Sequence, residues 1–219
     1  MTRTADCQKN PGLARQINTD ITTRLAELAA DISFIFLSTD LVFDGQQGHY
    51  NESAMVNPLT VYGETKAAAE RVVLANPRHA VLRTSLNFGV SPTGDRAFNE
   101  DLRRAWASGQ TVRLFHDEFR SPIAAEATAR FIWELALQKT EGLYHLAGAE
   151  RLSRLEIGRL LAARWPALVA RMESVSIRDY QGPTRAPDTT LNCAKVQRCL
   201  TTPLPRFSDW LAAHPETPG

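Results

Sequence analysis

Apolar residues along this chain gather in short continuous runs that alternate with stretches of helical periodicity. The run 32–37 is too short for a free-standing helix and rich in aromatic and β-branched residues, so it reads as a strand covered on both faces. It stops at two hydroxyls and an acid, Ser38, Thr39 and Asp40. Pro58 suits the first turn of a helix, and residues 59–74 are strong helix formers, so a helix is expected to start near Pro58. Upstream, Asn10-Pro11 opens a pattern in which Leu13, Ile17, Ile21, Leu25 and Leu28 recur every three or four residues. That spacing predicts one amphipathic helix with those residues on its buried face. Downstream, 80–85 reads as a second buried strand with a loop at 87–90. Then come a helix at 98–107, a short strand at 111–115, a helix at 124–138, a strand at 142–148 and a helix at 152–165. Strands separated by helices favour an α/β fold with a parallel sheet.

On the helix after Pro58, Tyr62 and Lys66 are four residues apart, which places them one turn apart on one face. A phenol ionises near pH ~10, and an ammonium held close by favours the phenolate. A hydroxyl at the strand end, Ser38 or Thr39, can hold a substrate oxygen beside it. The arrangement suits reduction of a carbonyl or oxidation of an alcohol.

The motifs 38–45, Ser-Thr-Asp-Leu-Val-Phe-Asp-Gly, and 57–66, Asn-Pro-Leu-Thr-Val-Tyr-Gly-Glu-Thr-Lys, resemble the extended short-chain dehydrogenase/reductases. Within that superfamily they are similar to the dTDP-4-dehydrorhamnose reductases and their relatives. The resemblance implies a partial Rossmann-like, doubly wound parallel sheet over 1–150. A small C-terminal substrate lobe, lying mainly in 151–219, is interleaved with it. It makes Thr39 the group that binds the substrate carbonyl and Tyr62 the general acid. Lys66 then lowers the tyrosine pKa and holds the nicotinamide ribose. Ser38 and Ser85 fall at the cofactor, Asn87 and Arg120 at the substrate, and Asn18 matches an asparagine that orders the family's active site. Hydride would come from NADPH or NADH, and the substrate would be a nucleotide-linked 4-keto-sugar. Leu86 stands where the rhamnose enzymes usually carry Trp, which leaves the sugar open, as it does epimerase or dehydratase chemistry. The family's Gly-x-x-Gly-x-x-Gly turn has no counterpart among the twelve glycines, so the cofactor half is expected to lie upstream of Met1. A non-catalytic regulatory subunit, working as a homodimer or with a partner enzyme, is the alternative reading. Without that half, the strand at 32–37 is expected to keep an open edge and the chain to self-associate.

Composition narrows the partners. The 219 residues carry a formal net charge of +1, without a basic stripe, so neither nucleic acid nor an anionic membrane is expected. The unpaired set Cys7, Cys193 and Cys199, a polar N-terminus and the lack of a ~20-residue apolar run fit a cytoplasmic protein. The five histidines are scattered and form no metal set.

Overall fold

The computed structural model describes residues 1–215. The chain opens with helices α1 (Thr4–Lys9), α2 (Pro11–Arg15) and α3 (Ile21–Leu28), the last two joined by a wider π turn over Gln16–Asp20. Strand β1 (Ile35–Thr39), helix α4 (Val61–Leu74), β2 (Ala80–Thr84), β3 (Asn87–Phe88) and α5 (Phe98–Ala107) follow. Next come β4 (Val112–Phe115), β5 (Phe119–Arg120), β6 (Ile123–Ala124), α6 (Ala125–Leu137) and β7 (Gly142–Leu146). The described chain closes with β8 (Leu152–Ser153), α7 (Arg154–Arg164), β9 (Met172–Val175), α8 (Ala194–Gln197) and α9 (Phe207–Ala213).

Strands β1, β2 and β7 form one parallel sheet with β2 in the middle, Ile35 opposite Ala80 and Ala80 opposite Gly142. β3 pairs parallel with β6, β4 parallel with β9, and β5 antiparallel with β8. The fold is therefore α/β with parallel strands, as the alternation of elements predicts. The Phe34 carbonyl accepts from Ala80 N at 2.9 Å. Carbonyls alternate sides along a strand, so that of Leu37 lies on the outer edge of β1, which pairs with no strand among the described residues.

One apolar cluster joins sheet and C-terminal residues: Leu82, Phe131 and Leu146 pack in the same core as Ile157, Leu161 and Phe207. Phe88 meets Phe207 and Trp210 edge-on, with ring centroids 4.6 and 4.9 Å apart. Phe88 and Phe207, both buried, contribute about 1.5–3 kcal/mol each. Helix α4 is pinned to the central strand by a buried ion pair, Arg83 Nη2 to Glu70 Oε2 at 2.7 Å. Arg83 Nε adds a 3.0 Å bond to Glu70 Oε1.

Two expectations are corrected. Helix α4 begins at Val61 rather than near Pro58, because the Thr60 hydroxyl caps it by accepting from Gly63 N at 3.2 Å. The first amphipathic pattern faces the other way. Leu13, Ile21, Leu25 and Leu28 are exposed, while Ala14, Asn18, Thr22 and Ala26 are buried. The small residues let α2 and α3 approach α4, and Asn18 Nδ2 donates to Thr65 Oγ1 at 3.1 Å across that contact.

Candidate active site

The C-terminal end of β1 delivers Thr39 in extended conformation, after which the chain turns through a single 3₁₀ turn, Asp40–Val42. Thr39 Oγ1 accepts from Leu41 N at 3.2 Å and donates to Asp40 Oδ1 at 3.2 Å. Asp40 is the buried hub of the site. Its Oδ2 accepts from Ser85 Oγ at 2.7 Å and from Thr189 Oγ1 at 2.9 Å, and stands 3.7 Å from Arg120 Nε. Ser85 Oγ in turn accepts from Ser121 N at 3.2 Å. One carboxylate thus ties together the ends of two strands, the segment after β5 and a residue close to α8.

Gly63 brings the helix onto this knot. A Cβ at that position would stand 2.2 Å from the Leu41 carbonyl oxygen. Only glycine lets the first turn of α4 lie so close to the strand-end loop, and the neighbouring Tyr62 is carried to Thr39, whose hydroxyl acts on the phenol. Burial pushes the Tyr62 phenol up to about 12, with the Asp40 charge and Cys7 acting the same way and the Thr39 bond opposing them.

Lys66 does not set the acidity of that phenol. Its Nζ donates to the Leu37 carbonyl at 2.6 Å and sits 3.8 Å from the centroid of the Phe36 ring. Burial pulls the amine down to about 8, against the pull of Glu70. The lowered tyrosine expected from the four-residue spacing is therefore corrected to a raised one.

The remaining candidates divide. Ser38 is buried on the Phe36 face of β1, and its hydroxyl has no hydrogen-bond partner among the described residues. Ser85 is spent inside the Asp40 network. Asn87 is also engaged, donating to Thr84 Oγ1 at 3.1 Å and to the Ser85 carbonyl at 3.2 Å, and accepting from Thr128 Oγ1 at 2.7 Å. Arg120 is buried with its donors committed: Nη1 to the Phe119 and Ala186 carbonyls at 2.8 and 3.2 Å, and Nη2 to Glu118 Oε1 at 3.0 Å. It forms part of the wall of a cleft of about 140 Å³, together with Leu41, Thr60, Tyr180 and Arg185. The site thus joins Thr39, Tyr62, Ser85 and Arg120 around Asp40, with the Lys66 amine engaged on the Leu37 carbonyl. Sequence reasoning passes over Asp40 and Thr189, although an acid directly after two strand-end hydroxyls is a signal for the first.

The orphaned Ser38 hydroxyl, the Tyr62 phenol and the Lys66 amine offer hydrogen-bonding groups suited to a ribose. Among the described residues no glycine-rich turn between strand and helix offers a phosphate cradle. No group of three or more His, Cys, Asp or Glu that could hold a metal ion occurs among them. No helix there is long and apolar enough to cross a membrane.

A family model described as RmlD substrate binding domain matches residues 1–216. Methionine adenosyltransferase 2 subunit beta of Xenopus laevis is 28% identical over 200 residues, covering 87% of this chain. The chain spans 60% of that relative's length. The dTDP-4-dehydrorhamnose reductase of Sinorhizobium fredii is 29% identical over 217 residues, covering 92% of this chain and 72% of the relative. Among solved structures, dTDP-4-dehydrorhamnose reductase from Bacillus anthracis in complex with NADP superimposes with a TM-score of 0.86 at 20% identity. That superposition covers 94% of this chain and 74% of the other and bears on the fold alone.

Proposed function

The chain belongs to the RmlD substrate-binding-domain family, and on that premise we propose that it carries the acid and substrate side of an NAD(P)H-dependent reductase. Its substrate on this reading is a nucleotide-linked 4-keto-sugar. The observation that carries the reading is the Tyr62 phenol placed where Thr39 acts on it, with the Thr39 hydroxyl donating to Asp40, at the end of a parallel strand.

Tyr62, held near 12, is fully protonated at neutral pH, the state a proton donor needs. The Thr39 hydroxyl donates a hydrogen bond to Asp40 at rest, so a substrate carbonyl oxygen competes with Asp40 for that donor. With the oxygen held by Thr39, Tyr62 protonates it as negative charge develops there. Ser38, Tyr62 and Lys66 are the residues that would hold the nicotinamide ribose, and Lys66 must leave Leu37 to do so. NADPH or NADH supplies the hydride when bound. The sheet-bearing residues 1–150 and the described C-terminal residues 151–215 act here as one unit, since they share a core.

The position of Lys66 favours a second reading, a non-catalytic subunit of the same fold acting with a partner enzyme or as a homodimer. A relative bearing the name of a methionine adenosyltransferase subunit supports it.

Titration of the purified chain with NADPH and NADH, followed by nicotinamide fluorescence and melting temperature, separates the two. Binding, with oxidation of the cofactor by a dTDP-4-keto-sugar that Tyr62→Phe abolishes, supports the reductase. A folded chain that binds neither cofactor favours the subunit reading for these 219 residues on their own.

A further inference from the structure

The segment that carries Thr189 to Asp40 also walls a second hollow, of about 520 Å³, just past the end of β7. Among the described residues it shares no lining residue with the cleft at Arg120. Small-molecule sites span about 300–1,000 Å³, so this hollow has room for a ligand of its own.

Its walls carry both signs of charge. Arg151 lies flat on Phe119, the guanidinium carbon 3.4 Å from the ring centroid, and its Nε donates to Asp188 Oδ2 at 2.7 Å. Held so, it keeps both terminal amino groups without a hydrogen bond among the described residues. The adjoining Glu150 accepts at Oε1 from Arg206 Nη2 and Ser208 Oγ, both at 3.0 Å, but at Oε2 only from Ser208 N, at 2.9 Å. That second oxygen has room for a further donor. Burial opposes the Glu150 charge, yet the bonds from Ser208 and Arg206 prevail and hold its carboxyl below the usual range.

The rest of the lining is part polar and part apolar. Asn192 Oδ1 accepts from Ala194 N at 2.9 Å, which leaves its Nδ2 unengaged among the described residues. Leu191 and Leu204, both buried, form an apolar wall. Asp188 balances Arg151 and Arg206 balances Glu150, so the hollow is neutral overall but bipolar within. A simple anion would gain at Arg151 and lose at Glu150, and a simple cation the reverse. A zwitterion gains at both.

We propose that this hollow binds a free α-amino acid with an apolar side chain. Its carboxylate sits on the Arg151 amino groups and Asn192 Nδ2, its ammonium on Glu150 Oε2, and its side chain against Leu191 and Leu204. The site is independent of the reductase reading, but its occupant adjoins the residues that hold Asp40, because Thr190 and Leu191 line it directly after Thr189.

The test uses the full chain with L-leucine as probe, affinity read by calorimetry and melting temperature recorded in parallel. Saturable binding that raises the melting temperature is expected. Isocaproate, which lacks the ammonium, and isoamylamine, which lacks the carboxylate, should each bind about tenfold to a hundredfold more weakly, the loss of one charge-assisted bond. Arg151→Met and Glu150→Gln should weaken L-leucine by a similar factor. Ala194→Phe places a ring in the hollow at an exposed position and should abolish binding while the free chain melts as wild type does. A folded wild type that ignores millimolar L-leucine overturns the proposal. So does isocaproate or isoamylamine binding as tightly as L-leucine, or an Ala194→Phe or Arg151→Met variant with wild-type affinity.

Discussion

Replacing Asp40 by Asn tests whether one carboxylate holds the strand ends to the residues beyond 180. Asp40 Oδ2 accepts from Ser85 at 2.7 Å and Thr189 at 2.9 Å, while Oδ1 accepts from Thr39 at 3.2 Å. An amide keeps the shape and loses one acceptor and the charge. If its oxygen stays with Ser85 and Thr189, its NH₂ meets the Thr39 hydroxyl, which must turn away. A hydrogen bond to a charged group contributes about 1.5–3 kcal/mol and a neutral one about 0.5–1.5 kcal/mol. Two bonds weakened and one lost therefore cost about 3.5–6 kcal/mol before relaxation. In a chain of this size each kcal/mol moves Tm by about 2–4 °C, so Asp40→Asn should melt on the order of 10 °C lower. Circular dichroism melts at pH 7 measure it. Ser85→Ala and Thr189→Val should each cost less, and combining either with Asp40→Asn should fall short of the sum, because they share one oxygen. A variant melting within about 2 °C of wild type would refute the role of Asp40 as a structural hub.

Gly63→Ala would normally gain about 1 kcal/mol in a helix. Here its Cβ meets the Leu41 oxygen at 2.2 Å, so a net loss of about 1–3 kcal/mol is expected in denaturant melts, and a gain would show that the contact is soft. Lys66, ordinarily near 10.5 and held near 8 in the fold, makes the unfolded chain bind a proton that the folded chain refuses between those values. Stability should therefore fall as pH drops from 10.5 to 8, and Lys66→Met should flatten that slope; an unchanged slope would place its cause elsewhere. His145 is fully buried and held near 3 by burial and the Arg83 charge. The unfolded chain takes up its proton first as pH falls below 6.5, so stability should decline between 6.5 and 3. His145→Gln should remove some of that decline in urea titrations at pH 7 and pH 5, and identical pH slopes would count against it.

Much of the layering is legible in the sequence because it rests on local pattern. The run ending at Thr39, the strand from Ala80 and the helix Phe98–Ala107 are each fixed by apolar length or period. The first helical face misleads because its leucines dominate the period, whereas contact with α4 selects the small residues Ala14 and Ala26. The site is legible as a set of residue types but not as a network. Tyr62 and Lys66 share a helix face, yet the spacing cannot reveal that Leu37 offers the amine a carbonyl, nor that burial and the Asp40 charge together push the phenol up. Arg120 looks free in one dimension, and only the location of Glu118 shows its guanidinium to be committed.

The Lys66 amine on the outer edge of β1 also governs how that edge meets other chains. A strand arriving alongside would need the Leu37 carbonyl for its own N–H, and would have to evict an ammonium seated on an aromatic face. That eviction is harder while the amine is charged, so the barrier to edge growth rises as pH falls below about 8 and relaxes above it. A single side chain thereby makes the stickiness of the sheet a function of proton concentration, with association fastest in alkaline solution, where the guard is neutral.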